Sequence, residues 1–316
     1  MAVNEMNVFE KSPIRSLDNQ IFDFFTRANT NTVEFHEKLS SIINHEIPFC
    51  SDCFFGPRVD LATNTIILSM PFLDSLWCSF FAMHVMHEEM TKFCQKHPCA
   101  QWFDIQSIEV GKQYSFVLNQ FNKILNETSE FEWKEIFVNP TNYSFSQEIN
   151  DYIKETNQLY VIGVSEILLH ECSHVYYGHD FKDKSNNEIR LYEQEADKKA
   201  NSLLLESLTD GNKEYTIAYS IVLNYLSMLF MGKTNTIIID KKHPVIQDRI
   251  RFLFEGFIEN SSIDENTKIS LYHLCLQIFD MFLSQRKRGL LSYDNIDDVR
   301  RAFYENLDVM DMFVKN

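Results

Sequence analysis

The sequence predicts an α+β protein that is mainly helical, and three observations support this. The 316 residues include only 8 Gly and 7 Pro, so few positions interrupt a helix. Apolar residues recur at helical spacing over most of the chain, whereas residues 58–69 are the convincing hairpin signal. Hydrophobic residues make up 45% of the chain, which is enough for a large buried core. We therefore expect many helices and a small antiparallel β-hairpin or sheet.

The N-terminal part is expected to carry the β-structure and the first helices. Residues 17–43 have apolar side chains at helical spacing and predict one or two helices. Residues 58–69 predict two short strands around a polar turn at 62–65, and residues 47–55 are a candidate third strand. Two further helices are predicted, over residues 72–96 and 113–125.

The C-terminal part is predicted to be helical. A helix over residues 158–178 is followed by a polar loop, and Asn186 or Asn187 is the expected N-cap of a helix that reaches Glu206. Four more helices are predicted, over residues 215–231, 244–257, 267–285 and 295–307.

The domain organisation is expected to be simple, because the sequence has no linker rich in Pro, Ser or Gly. We expect a single domain over residues 1–316. Within it, residues 1–140 supply the N-terminal helices and the hairpin, and residues 141–316 form the helical half.

Composition narrows the classes of partner and compartment. The net charge of -16 argues against nucleic-acid binding, which needs clustered Lys and Arg. The longest apolar stretch, residues 66–86, is broken by Pro71 and Asp74, so we expect no membrane span. Seven scattered Cys and a first segment unlike a signal peptide indicate a reducing, cytoplasmic location.

The clearest candidate for a catalytic or metal-binding motif is residues 170–174. They read His-Glu-Cys-Ser-His and match the pattern HExxH. On a helix, His170 and His174 lie on one face, so both imidazoles can bind the same metal ion. Glu171 lies beside them and is the candidate general base of a zinc hydrolase. The alternative is that these are two ordinary histidines on a helix.

A third metal ligand is predicted 19 residues after His174. Glu193 falls on the apolar stripe of its helix, and a buried carboxylate needs a partner or a metal. Ala196 is small enough to let this helix approach the HExxH helix. Asp197, one turn beyond Glu193, is expected to accept the second ring N–H of His170.

Two other residues compete for the third ligand position. His179 follows HExxH, but it is one residue out of register with the metzincin pattern HExxHxxGxxH, so we interpret it as a helix-end residue. Glu195 lies two residues from Glu193, so the helix turns it away, and we expect it to be solvated.

A second motif follows at residues 243–250. His243 precedes Pro244, which favours a helix start, and His243 is also a candidate donor to the oxyanion of peptide hydrolysis. Arg249 is expected to brace the site. Cys50, Cys53, Cys94 and Cys99 are weaker candidates for a structural zinc site, and we interpret them as ordinary thiols. Cys172 is interpreted as a buried thiol rather than as a nucleophile.

These pieces resemble a known family of metallopeptidases. HExxH at 170–174, ExxAD at 193–197 and HPxxxxRI at 243–250 form the gluzincin pattern, which CAAX-prenyl-protease-type enzymes share. The closer resemblance is to the Lit-type phage-exclusion peptidases, through residues 169–174, 193–197 and 242–250. An upstream segment, residues 65–89, is also similar, and the resemblance spans about residues 55–255.

The resemblance implies a helical, gluzincin-like fold and a zinc-dependent endopeptidase of the cytoplasm. It also implies a role in antiphage defence, with elongation factor Tu as the protein substrate and a phage-derived activator of the dormant enzyme. Two alternatives stay open. One is a regulatory protease of the ImmA/IrrE type that cuts a repressor, and the other is a non-catalytic binding protein stabilised by zinc.

Overall fold

Helices dominate the computed structural model of the chain. It describes residues 12–30, 35, 37, 49, 50, 56–97, 103–126, 133, 138–206, 211–234, 246–283 and 295–314. Within these ranges the helices are accompanied by three short strands. The predicted class, α+β and mainly helical, is therefore confirmed.

The α-helices of the described ranges occur close to the predicted positions. In chain order they are α1 (Asp18–Thr30), α2 (Met70–Lys96), α3 (Glu109–Asn126), α4 (Gln147–Tyr177), α5 (Asn186–Glu206), α6 (Gly211–Thr234), α7 (Ile246–Leu253), α8 (Glu265–Leu283) and α9 (Ile296–Val314). Short 3₁₀ turns precede α1 at Pro13–Leu17 and α3 at Ile105–Ser107. A π-helical turn, Phe254–Ile258, continues α7. None of the described helices combines the length and the apolar composition that a bilayer crossing requires.

The sheet differs from the predicted antiparallel hairpin in one respect. Strands β2 (Arg58–Asp60) and β3 (Thr65–Ser69) form the hairpin, with Val59 opposite Ile66. A third strand, β1 (Phe49–Cys50), pairs with the other side of β3 and runs parallel to it. Strand β3 lies in the middle of the sheet, in the order β1-β3-β2. The sheet is mixed, because β3 is parallel to β1 and antiparallel to β2.

Helix α4 is longer than the sequence pattern predicted, because it starts at Gln147 instead of near residue 158. The added turns are polar in sequence, but Ile149, Tyr152 and Ile153 are buried and extend the apolar face. The Asn150 amide donates to the carbonyls of Tyr143 and Phe145, at 3.0 and 3.1 Å, and so anchors the entering chain. Tertiary contacts therefore extend a helix that local propensity alone leaves uncertain.

The second half of α4 is buried on nearly all sides, as expected of a helix that is apolar all round. It packs against α1, α2, α5 and α6. Gly163 permits one of these close approaches, since a Cβ there would lie 2.7 Å from Cζ of Phe80 on α2. The helix that carries the HExxH residues is thus fixed within the core.

The buried residues form one hydrophobic cluster that includes Ile14 near the start of α1 and Met310 in α9. The expectation of a single domain over residues 1–316, with the zinc-site half starting near residue 141, stays a prediction.

The core also contains the carboxyl group of Asp74. Asp74 of α2 is fully buried and accepts a hydrogen bond from the Ser12 hydroxyl at 2.5 Å. Burial raises the pKa of Asp74 from 3.8 to about 7, although the Ser12 hydrogen bond opposes the shift. The folded protein therefore keeps the Asp74 proton over a pH range in which the unfolded chain has released it.

We predict that Asp74 makes the protein less stable as the pH rises. Between pH 4 and 7 the folded state binds more protons at Asp74 than the unfolded state, so its contribution falls by up to about 1.4 kcal/mol per pH unit. Asp74→Asn removes this contribution. Urea unfolding at several pH values should show the variant gaining stability relative to wild type as the pH rises to 7.

Exposed Glu305 offers a matched control in α9, as Glu305→Gln. If the difference in the free energy of unfolding between wild type and Asp74→Asn stays constant across this pH range, the pKa of Asp74 is the same in the folded and the unfolded protein. The prediction would then be wrong.

Candidate metal centre

The last turns of α4 place two imidazoles on the same side of the helix. His170 and His174 are one turn apart and buried, and their Nε2 atoms lie 3.1 Å from each other. The helix ends at Gly178, whose φ of 67° is the left-handed conformation that glycine adopts without strain. Its N–H donates to the Val175 carbonyl, and the N–H of His179 donates to that of His174. The turn after the motif is therefore well defined.

Helix α5 supplies the carboxylate that the sequence predicted at position 193. It packs against α4, and the small residues Ala196 and Ala200 are fully buried on its inner face. Glu193 on the same face is only 1% exposed. Its Oε2 lies 3.4 Å from Nε2 of His170, and its Oε1 lies 3.5 Å from Nε2 of His174.

The three side chains fit the requirements of a metal ion. Each offers one ligand atom, and these atoms lie within 4.8 Å of one another. Tetrahedral zinc with bonds of about 2.0–2.1 Å needs ligand atoms about 3.3 Å apart. The two Nε2 atoms are 3.1 Å apart, and they lie 3.4 and 3.5 Å from different oxygens of Glu193. Two nitrogens and a carboxylate are also the donor types of catalytic zinc sites.

The electrostatics of the two imidazoles differ. Burial by itself lowers the pKa of His170, but Asp197 and then Glu193 outweigh it and raise that pKa. Burial lowers the pKa of His174 to about 3, and the charge of the neighbouring His170 acts in the same direction. His174 is therefore neutral at physiological pH, which is the form that binds metals.

Asp197 lies behind His170, as the sequence predicted. Its Oδ1 is 2.8 Å from Nδ1 of His170. Arg249 of α7 also reaches this carboxylate with two nitrogens: Nε donates to Oδ2 at 2.8 Å, and Nη2 donates to Oδ1 at 2.5 Å. Burial by itself raises the pKa of Asp197, but the Arg249 guanidinium and His170 outweigh it and lower that pKa. Arg249 thus contacts the carboxylate that lies beside His170.

Another buried carboxyl group, that of Glu166, was missed in the sequence. It lies one turn before His170 on α4 and accepts hydrogen bonds from the Asn224 amide at 2.6 Å and the Tyr225 hydroxyl at 3.3 Å. Burial, and then the charge of Asp197, raise the pKa of Glu166. The signal was present, because Glu166 stands alone in an apolar run four residues before His170.

The Tyr225 ring links this carboxyl group to Arg249. The Arg249 guanidinium carbon lies 5.0 Å from the ring centroid of Tyr225. Asn201 of α5 also donates to the Tyr225 hydroxyl, at 3.3 Å. Helices α4, α5, α6 and α7 are therefore joined by one polar network behind the two histidines.

The rival ligand candidates occupy positions beside the site. His179 is buried, and its Nδ1 lies 2.8 Å from Nδ1 of His174, so it approaches the ring nitrogen that faces away from Glu193. Glu195 is largely exposed, as predicted, but its Oε2 lies 3.1 Å from Nε2 of His179. The prediction that His179 is simply a helix-end residue overlooked this contact with His174.

The remaining predicted site residues are Glu171, His243 and the cysteines. Glu171 is buried and follows His170 on α4. Cys172 is a free, fully buried thiol whose pKa is raised by burial, which does not suit a nucleophile. Cys94 is also a free thiol. His243, Cys53, Cys99 and the side chain of Cys50 lie outside the residues that the structure describes.

We predict that Arg249→Leu destabilises the protein by about 3–5 kcal/mol, because it leaves the buried Asp197 carboxylate without its cation. Arg249→Lys should recover part of the loss, since an ammonium cannot form the two-nitrogen contact. Urea unfolding of the metal-free proteins measures both effects.

Arg251 provides a matched control on the same helix. It pairs with Asp308 in an exposed position, so Arg251→Leu should change stability little. Equal losses of stability in Arg249→Leu and Arg251→Leu would show that the buried ion pair contributes no more to stability than the exposed one.

A family model, Peptidase U49, matches residues 66–268, which is more than half of the 316 residues. The matched segment includes His170, Glu171, His174, Glu193 and Arg249. Searches of curated proteins and of solved structures gave no significant match. The family is the Lit-type family that the sequence motifs resemble. The chain therefore belongs to the Peptidase U49 family and is a peptidase.

Proposed function

We propose that this protein is a zinc-dependent endopeptidase in which His170, His174 and Glu193 hold the metal. The observation that carries the proposal is the convergence of two imidazole nitrogens and one carboxylate at separations of 3.1–3.5 Å. Three protein ligands leave a fourth position of a tetrahedral ion for the reaction, as in catalytic zinc sites. Membership in a peptidase family supports this use of the site.

Glu171 is proposed as the general base. When bound, zinc supplies Lewis-acid polarisation and lowers the pKa of water to about 7. Glu171 accepts the proton of the attacking water and passes it to the leaving amine, a role that contributes about 10²–10⁴-fold to the rate. We also propose that His243 donates to the oxyanion that forms on the peptide carbonyl.

Asp197 and Arg249 are proposed to orient the metal site. With Nε2 of His170 directed to the metal, the Nδ1 proton is held by Asp197. Arg249 fixes that carboxylate in turn. This arrangement keeps the His170 ring in one orientation, with Nε2 on the side of Glu193.

For the substrate we propose a cytoplasmic protein, and the Lit-type family points to elongation factor Tu. Cleavage of this factor would stop translation, which fits abortive infection and activation by a phage component. The ImmA/IrrE-type alternative predicts cleavage of a repressor instead. A binding protein with structural zinc would have no need for the acid-base residue Glu171 next to its ligands.

We expect wild type to purify with about one zinc ion per chain and Glu193→Ala to lose most of it, because two imidazoles alone bind zinc weakly. Elemental analysis of protein prepared without chelators measures this. Gln194→Ala, the next residue on α5, is the matched control and should retain zinc. Full zinc occupancy in Glu193→Ala would remove Glu193 from the ligand set.

We expect Glu171→Gln to retain zinc but to lose about 10²–10⁴-fold in cleavage rate, because glutamine cannot accept the proton. The assay incubates wild type and variant with purified elongation factor Tu, with and without phage lysate fractions, and follows fragments by mass spectrometry. Cleavage by wild type alone or with lysate, absent in the variant, supports the proposal. Equal cleavage by both proteins would exclude Glu171 as the base, and an intact factor under all conditions would exclude it as the substrate.

A further inference from the structure

His179 has an environment that an ordinary helix-end residue does not need. Its ring stacks on that of Tyr192, with centroids 4.2 Å apart and planes inclined by 9°. Tyr177 stacks at a longer centroid distance of 5.4 Å with an inclination of 19°. The ring plane of His179 is therefore fixed by two aromatic neighbours, one at the end of α4 and one on α5.

Both nitrogens of this ring have partners. Nδ1 of His179 lies 2.8 Å from Nδ1 of His174, and Nε2 of His179 lies 3.1 Å from Oε2 of Glu195. His174, His179 and Glu195 thus form a chain of two contacts that starts at a proposed metal ligand. We refer to these three residues as the His174 relay.

The chemistry of the three groups allows one arrangement of protons in the relay. When Nε2 of His174 binds a metal, its Nδ1 must carry the proton and donate it. His179 then accepts at Nδ1, so its own proton lies on Nε2 and is donated to the Glu195 carboxylate. Every contact in the relay then has one donor and one acceptor.

We infer that His179 is a positioning residue that orients His174 and strengthens it as a metal ligand, with Glu195 supporting His179 from the surface. The inference rests on the proposed metal site. His179 does for His174 what Asp197 does for His170, but with a ring nitrogen in place of a carboxylate oxygen.

The local fold explains why His179 reaches this position. Gly178 adopts the left-handed conformation that ends α4, and the next residue, His179, folds back so that its N–H meets the His174 carbonyl at 3.0 Å. The same reversal directs the His179 ring toward the ring of His174. The position of the His179 ring is therefore determined by the turn that ends α4, and not by the spacing of His179 from the HExxH motif.

Two substitutions separate the hydrogen bond of His179 from its packing. His179→Phe keeps an aromatic ring between Tyr177 and Tyr192 but removes both nitrogens. His179→Asn loses the ring, but its side-chain amide can occupy the place of Nδ1 and accept the His174 proton. Comparison of the two shows whether the acceptor or the aromatic packing matters.

The experiment measures zinc affinity by competition with a chromophoric chelator, together with the visible spectrum of the Co²⁺-substituted proteins and urea unfolding without metal. We expect His179→Phe to bind zinc about 10–100-fold more weakly and to change the Co²⁺ spectrum, because His174 loses its acceptor. His179→Asn should retain most of the affinity despite a larger loss of stability. Glu195→Gln should give a smaller loss of affinity than His179→Phe.

Zinc affinity of His179→Phe equal to that of wild type would overturn the inference, as would equal losses in the Phe and Asn variants. His174→Ala serves as the reference for the metal site itself. If wild type binds zinc, His174→Ala does not and His179→Phe binds normally, the proposed function stands and only the relay is refuted. A wild type that binds no zinc refutes both.

Discussion

Two carboxylates, Glu193 and Asp197, are buried one turn apart in the interface between α5 and α4, and the surrounding residues are arranged to compensate their charge. A buried carboxylate costs several kcal/mol unless it is paired or binds a cation. Asp197 meets the Arg249 guanidinium and the His170 ring. Glu193 faces the Nε2 atoms of the two histidines, and three candidate ligand atoms converge there.

This arrangement depends on the rigidity of α4. A functional site must hold its groups within about 0.5 Å of the productive geometry, which requires a well-packed platform. Ser220 of α6 donates to the Leu159 carbonyl at 2.6 Å, and Gly163 allows the Phe80 ring to approach the helix. The Glu166 contact with Asn224 fixes the turn just before His170. The long helix thus positions the histidines from several sides, and their side chains have little freedom left.

Much of this could be predicted from the sequence, because the signals are local. HExxH on an apolar helix and Glu193 on an apolar stripe each place a polar residue where periodicity requires burial. The approach of Asp197 to His170 was also predictable in kind, since a ligating imidazole needs an acceptor for its second N–H. Arg249 was expected only to brace the site, and its pairing with Asp197 was not predicted. The hairpin followed from alternation around a polar turn, whose Asn64 has a φ of 51°.

The parts that were missed depend on contacts distant in sequence or on the exact end of a helix. Strand β1 lies within the candidate strand 47–55, but its parallel pairing with β3 was not predicted, because the course of the chain decides it. The first turns of α4 are polar in sequence and become helical through burial of Ile149 and Ile153. His179 was judged by its register relative to HExxH, whereas the turn at Gly178 determines its position.

The sum of buried charges explains why the two histidines have different partners. Glu171, Glu193 and Asp197 contribute up to three negative charges, while burial raises the pKa of Glu166 and favours its neutral form. With the proposed metal bound, Arg249 and a divalent cation would together supply three positive charges and balance the set. A further carboxylate beside His174 would leave one charge uncompensated in the core, at a cost of several kcal/mol. The neutral imidazole of His179 can accept the Nδ1 proton of His174 without adding a negative charge to the core. Its other nitrogen contacts Glu195, whose exposed carboxylate is screened by solvent.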